Sequence, residues 1–312
     1  VSDASAARWR GTLAVMASAC AFGSISPLTV LATAEGMALE SVQSWRYLTS
    51  AVLLLAMGAL RRTGSSTGSS TASSSDPSSV LMTPWYHPRI LLPTGGGQAL
   101  VATLALAALR WLPASTASFL FYTYPAWVAL LSAARGLEPL DRLRVAALGL
   151  ALGGVAAMVG APSTASLDPV GLAVILAAAV VYALYIPYLN HIQQGRDAYD
   201  VARAIGVGGA LCFVAWSAST GSLWQIPSGL AFGASVLQGV LGAVAFLGFL
   251  SGLRLLGPVR TAITSTVEPF WTTLLGIVVL QQPLGAGTIV GGMLIMAAVL
   301  LLQRRPRGEA TR

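Results

Sequence analysis

The strongest constraint on this chain is a series of apolar stretches from which charge is nearly absent. Runs of about 20 such residues are long enough to cross a ~30 Å hydrocarbon core as helices. A helix satisfies its own backbone N–H and C=O groups in lipid. The other spanning solution, a closed β-barrel, needs short alternating segments, and these stretches are continuously apolar. Only 9% of the residues are charged, where a soluble domain carries about a quarter. The sequence therefore predicts an all-α integral membrane protein.

Charged and Pro/Gly-rich breaks divide the apolar sequence into ten transmembrane helices. Five lie near 11–33, 42–60, 90–109, 114–134 and 143–160, and five near 169–189, 201–219, 230–252, 259–280 and 287–302. With both termini in the cytoplasm, the arginines sort by side. Arg8, Arg10, Arg61, Arg62, Arg89, Arg135, Arg142 and Arg144 fall inside, as do Arg196, Arg203, Arg254, Arg260, Arg304, Arg305, Arg307 and Arg312. These are 16 of the 18 basic residues; Arg110 alone falls outside and Arg46 lies within a span. Such asymmetry is what the positive-inside rule demands, and one span more or fewer would scramble it. The chain is expected to be a multi-pass protein of a bacterial inner membrane, with the lipid bilayer as its first partner.

The net charge of +7 comes from helix ends and forms no basic face, so no nucleic-acid partner is expected. Arg8 and Arg10 precede an apolar stretch, and Ala17-Ser18-Ala19-Cys20 faintly resembles a lipoprotein cleavage site. The large aliphatic residue such sites need is missing and apolarity continues past it, so a retained first helix is expected. Cys20 and Cys212 lie in apolar runs with no metal-ligand spacing and are read as packing residues. No metal and no cofactor is expected. Segment 63–79 is almost entirely Ser, Thr and Gly and is read as a flexible cytoplasmic linker.

The two sets of five spans are copies of one unit. A shift of 144 residues aligns 109–140 with 253–284 without a gap. It brings Leu109, Arg110 and Leu112 onto Leu253, Arg254 and Leu256, Pro125 and Trp127 onto Pro269 and Trp271, and Pro139-Leu140 onto Pro283-Leu284. A shift of 160 brings Gly11, Phe22 and Pro27 onto Gly171, Tyr182 and Pro187. The two shifts differ by 16, close to the length of the Ser-rich linker, which reads as an insertion in the first copy. The repeats divide the chain at residues 1–160 and 161–312. Because five is odd, the second copy enters the membrane from the opposite side. Inverted five-helix repeats of this kind are typical of secondary transporters.

Arg110 to Val159 resembles the EamA repeat of the drug/metabolite transporter (DMT) superfamily. It has a short turn, an Ala/Ser-rich span with a central Pro, then Gly136 to Leu140 as Gly-x-Glu-Pro-Leu, and a Gly-rich span. Arg254 to Leu302 resembles the same repeat, including Glu268-Pro269-Phe270, and Arg46 sits where the family often has an Arg. One departure is that Glu138 of the first copy is Gln282 in the second. The resemblance implies export or import of amino acids and other small metabolites, driven by protons or by the substrate gradient.

Glu268 is about eight residues, or ~12 Å, from the inner end of its span, and Thr261, Ser265, Glu268 and Thr272 share a helical face. An acid at mid-membrane costs free energy and faces a cavity or a partner. Glu268 is thus the candidate for substrate binding and coupling, with a hydrogen-bonded structural acid as the alternative. Gln98 and Gln238 are further candidates that either touch substrate or tie helices together. Tyr122 is the aromatic best placed to face a cavity, because it shares a face with Ser118 and Pro125. Arg46, a turn into its span, is expected to snorkel to the outer interface, the alternative being an ion pair or a carboxylate contact. Pro27, Pro125, Pro187 and Pro269 each kink a span and free a backbone carbonyl. Gly149-x-x-x-Gly153 and Gly287-x-x-x-Gly291 give the fifth helix of each half a close-packing face, within the monomer or in a homodimer.

No catalytic constellation is present: His87 and His191 lie far apart in cytoplasmic segments, and Gly95-Gly96-Gly97 lies in a span with no Lys in the chain. The expected function is secondary transport of small polar metabolites, amino acids or amines with export favoured. Import of a sugar or nucleotide-derived solute is the alternative, and a channel or scaffold the alternative of another class.

Overall fold

Long stretches free of charge become long helices in the computed structural model, which describes residues 3–65, 84–135, 142–160, 167–193, 196–256, 261 and 264–302. The helices are α1 (Asp3–Ala34), α2 (Leu39–Ser65), α3 (Pro88–Ala107), α4 (Ala114–Phe121), α5 (Tyr124–Ala134) and α6 (Arg142–Gly160). They continue with α7 (Pro169–Gln193), α8 (Ala198–Ser219), α9 (Gly229–Leu256), α10 (Val267–Val278) and α11 (Ala286–Leu302), and a 3-10 turn, Ala108–Arg110, ends α3. Among the described residues there is no strand.

Among the described residues, five helical stretches are long and apolar enough to cross a membrane: Trp9–Ala34, Pro88–Arg110, Pro169–Gln193, Tyr199–Ser219 and Gly229–Gly252. Val145–Met158, Val267–Val278 and Ala286–Leu301 are shorter apolar helices. Helix α2 is long but carries Ser41, Gln43, Ser44, Arg46 and Ser50, all buried. Its polarity faces protein and not lipid. The helix also continues to Ser65, into the start of the expected linker; residues 66–79 of that linker, and the Gly136 to Leu140 motif with Glu138, lie outside the described residues.

The two halves of the sequence do not form two bodies. Helix α1 packs on α9, α9 on α2, α2 on α8, α8 on α3, α3 on α7, α7 on α4 and α5, α4 on α10, and α10 back on α1. The ring alternates between helices of the first and second copies, so each wall is a contact between copies. Equivalent contacts recur around it. A Cβ on Gly11 would meet Leu255 and Leu256, and one on Gly171 would meet Trp111 and Leu112. These pairs map onto each other under the two sequence shifts, since 11 + 160 = 171, 111 + 144 = 255 and 112 + 144 = 256.

Glycines set the closeness of the walls. Gly95 of α3 faces the backbone of Gly208 on α8, and Gly97 faces the ring of Tyr185 on α7, so this triplet is a helix-packing element. Helices α6 and α11 stand outside the ring and pack on each other through Gly154 and Gly291, each facing the other's carbonyl. The close approach on α6 is thus one residue beyond the Gly149/Gly153 pair, whose added Cβ atoms would meet nothing. Gly36, with φ +88, ends α1. It sits in a Schellman turn, with Met37 N–H bonded to Ala32 C=O at 3.3 Å and Gly36 N–H to Thr33 C=O at 3.0 Å.

Candidate functional site

The prolines inside the spans take two forms. Pro27 and Pro187 lie within the continuous helices α1 and α7. At Pro125 and Pro269 the span is broken: α4 stops at Phe121 and α5 restarts at Tyr124, and a turn at Thr266 precedes α10 at Val267. Pro has no N–H and is tolerated in the first turn of a helix, where that N–H would be unpaired anyway. The breaks are repeat equivalents, since 122 + 144 = 266.

A proline also strips the carbonyl four residues earlier of its helical donor. For Pro269 that carbonyl belongs to Ser265, and the Tyr122 hydroxyl donates to it at 2.8 Å. For Pro27 it belongs to Gly23, and the Thr272 hydroxyl donates to it at 2.9 Å. Side chains from one copy thus satisfy carbonyls freed in the other. The indole N–H of Trp271 donates to Ser24 Oγ at 2.9 Å, so α10 is held to α1 by two adjacent bonds.

These bonds place Glu268. Its Oε2 lies 3.0 Å from the Tyr122 hydroxyl, and its backbone carbonyl accepts from Thr272 Oγ1 at 3.1 Å. Glu268 lines two adjoining cavity lobes. The first, of about 130 Å³, is bounded by Ser18, Ala19 and Phe22 of α1, Gln98 and Val101 of α3, Phe121 and Tyr122, Tyr124, Tyr182 and Leu189 of α7, Ile205, Phe246, Phe249 and Leu250 of α9, and Ser265. The second, of about 110 Å³, is bounded by Phe22, Ile25, Ser26, Arg46, Gln98, Val101, Ala102, Ala105, Leu106, Ala117, Ser118, Phe121 and Ile175. Phe22, Gln98, Val101, Phe121 and Glu268 are common to both. They form a waist, with one polar side chain from each half of the chain.

Three of the four expected binding residues, Gln98, Tyr122 and Glu268, meet in this cavity. Gln238 does not. It is fully buried between helices, and its Oε1 accepts from Thr29 Oγ1 at 3.0 Å, which makes it a tie between α9 and α1. Arg46 does not snorkel: it is 4% exposed, donates from Nη1 to Gln43 Oε1 at 2.8 Å, and lies 4.8 Å from the centre of the Tyr47 ring. Helix α9 covers it, because Gly239 and Gly242 let α2 approach closely.

Several lining residues lay beyond the sequence reading. Tyr124 and Tyr182 meet edge to face at 4.9 Å, and Phe121 lies 5.2 Å from Tyr182. A signal for two of them existed. Tyr124 is the repeat equivalent of Glu268 and Tyr182 that of Phe22, and all four line the first lobe. The remaining tyrosines of α7 lie elsewhere, with the Tyr185 hydroxyl on Thr94 C=O at 2.8 Å. Gln282 caps a helix: its Oε1 accepts from the N–H of Ala114, the first residue of α4, at 3.1 Å.

The arrangement suits a small solute with a polar group at Glu268 and apolar surface against the aromatic wall. Among the described residues no group of His, Cys, Asp and Glu is placed to hold a metal ion.

The family model for the EamA-like transporter family matches residues 9–160 and 169–304, one match to each copy. No curated protein matches the sequence. A solved structure described as "Crystal structure of protein" superposes with a TM-score of 0.60 over 91% of this chain and 95% of its own, at 20% identity. That likeness concerns the fold alone.

Proposed function

The chain belongs to the EamA-like transporter family, and on that premise we propose that it is a secondary transporter working by alternating access. Its substrates are small polar metabolites, amino acids or amines, and export is the favoured direction. The proposal includes ten spans as two inverted five-helix repeats, both termini cytoplasmic, in a bacterial inner membrane. In that orientation the first lobe, with Leu189, Ile205 and Leu250, points to the cytoplasm. The second, with Arg46 and Leu106, points outward.

The observation that carries this reading is Glu268 at a waist shared by two lobes that extend toward opposite ends of the ring. A carboxylate buried in an apolar bundle is costly and is retained where a partner or a water-filled path stabilises it. Here Tyr122 donates to it, and an ammonium group or a proton entering the cavity would replace that hydroxyl. Because Tyr122 belongs to one copy and Glu268 to the other, breaking their bond loosens one copy from the other. The broken spans at Tyr122 and Thr266 supply bending points beside the site.

Reconstitution tests the reading. Purified protein in proteoliposomes should show saturable counterflow of at least one compound from a panel of amino acids, amines, sugars and nucleosides. Flux that rises linearly with concentration would indicate a channel. A reporter fused after Gln303 should be active only in the cytoplasm, and one in the 220–228 loop only outside; the reverse pattern would contradict the orientation.

A further inference from the structure

Arg46 has no assigned role in the reading above, and its surroundings are unusual for a cation within a span. It is 4% exposed, yet it lines the second lobe together with Ser26, Gln98, Ser118 and Glu268. Among the described residues its side-chain hydrogen bond goes to the neutral Gln43, and its guanidinium lies over the Tyr47 ring. Among the described residues no carboxylate lies within ion-pair distance of it, in contrast to Arg203, which meets Asp200 at 3.3 Å.

A guanidinium stays protonated in proteins and offers five N–H donors in a planar fork. Burying such a group without an anion costs several kcal/mol. A cation so placed, on the lining of an open lobe, is half of an ion pair whose other half comes from outside the protein. The fork matches a carboxylate, which it binds through two parallel hydrogen bonds. Ser26 and Ser118 add neutral hydroxyls to the same lobe, and among the described residues the acid that lines it is Glu268 at the waist.

We propose that the second lobe is a carboxylate subsite with Arg46 as its counter-ion, so that transported solutes carry a carboxylate toward the outer end of the cavity. This rests on the transporter reading and narrows it. A bare amine would leave Arg46 unpaired, whereas a solute with both groups places its carboxylate at Arg46 and its ammonium at Glu268.

The test uses purified full-length protein in detergent, with thermal stabilisation as the readout. Its probes are matched sets sharing one side chain: an amino acid, its amide, the amine without the carboxylate and the acid without the amine, with sodium chloride as the inorganic anion. Wild type should bind the carboxylate-bearing compounds, and Arg46→Gln should weaken them roughly thirtyfold or more while changing amine binding less than twofold. Arg46→Lys should retain part of the affinity. If Arg46→Gln does not fold, the acid-against-amide comparison on wild type alone decides. The proposal is overturned if amides or amines bind as well as acids, if no carboxylate binds, or if chloride binds and carboxylates do not. Saturable counterflow of amines without any carboxylate requirement would sink this subsite and leave the transporter reading standing.

Discussion

Two buried polar clusters sit in the same helix ring, and their fates differ. Tyr122 and Glu268 join copy to copy at the cavity waist, whereas Thr29 and Gln238 join α1 to α9 in a buried seam that lines neither lobe. In the sequence both look alike: a polar side chain in an apolar span. What separates them is whether the neighbouring helices close over the pair. Small residues close the seam: Gly239, beside Gln238, faces Thr49 and the carbonyl of Arg46 on α2, and Ala32 of α1 packs in one buried cluster with Ala231 and Ala234 of α9. Around Glu268 the spans break at Thr266 and Tyr122, and the wall opens into the lobes. A hydrogen bond in the seam serves stability; one at the waist is available to a solute.

The largest expected effect therefore falls on Glu268. Glu268→Gln keeps size and hydrogen-bonding capacity, so the protein should fold with its thermal midpoint little changed. Losing the charge-assisted bond to substrate should lower counterflow by roughly tenfold or more, and the pH dependence of transport should flatten. An unaltered rate and pH profile would make Glu268 a structural acid and erase the distinction between the clusters.

A smaller effect is expected from Tyr122→Phe, which removes the single hydroxyl proton shared between Glu268 and the Ser265 carbonyl freed by Pro269. Leaving a buried acceptor unpaired costs about 1–3 kcal/mol. The variant should lose stability measurably and transport several-fold more slowly. If stability falls while transport is untouched, the bond is structural, as in the seam.

The smallest effect belongs to the seam itself. Thr29→Val or Gln238→Leu removes an interhelical hydrogen bond worth about 0.6 kcal/mol in a membrane. Transport should stay within twofold of wild type, read as counterflow at equal incorporation. A large loss of transport would mean that the seam opens during the cycle.

Much of this fold was legible from residues alone. Uncharged runs indicated helices in a membrane, and the two shifts exposed the repeat. Gln98, Tyr122 and Glu268 stood out because polar side chains are few there. Arg46 was misplaced for a physical reason: a cation seven residues into α2 snorkels only if lipid surrounds it, and sequence does not show α9 lying across it. The breaks at Tyr122 and Thr266 exceed the kink a single Pro implies, and the sequence does not show that Tyr122 of one copy caps the Ser265 carbonyl that Pro269 frees in the other. The interleaved ring was also hidden, because a repeat in sequence does not reveal whether its copies stand apart or alternate.

Alternating exposure of the two lobes can be followed with single cysteines. With Cys20 and Cys212 replaced by Ala, Ala105→Cys reports on the second lobe and Leu250→Cys on the first. Labelling by a small membrane-impermeant maleimide is measured in oriented vesicles, with and without the compound that gave counterflow. The account predicts that the compound changes the two labelling rates in opposite directions, and that Glu268→Gln abolishes the change. Equal rates that ignore the compound would describe a static pore and contradict it.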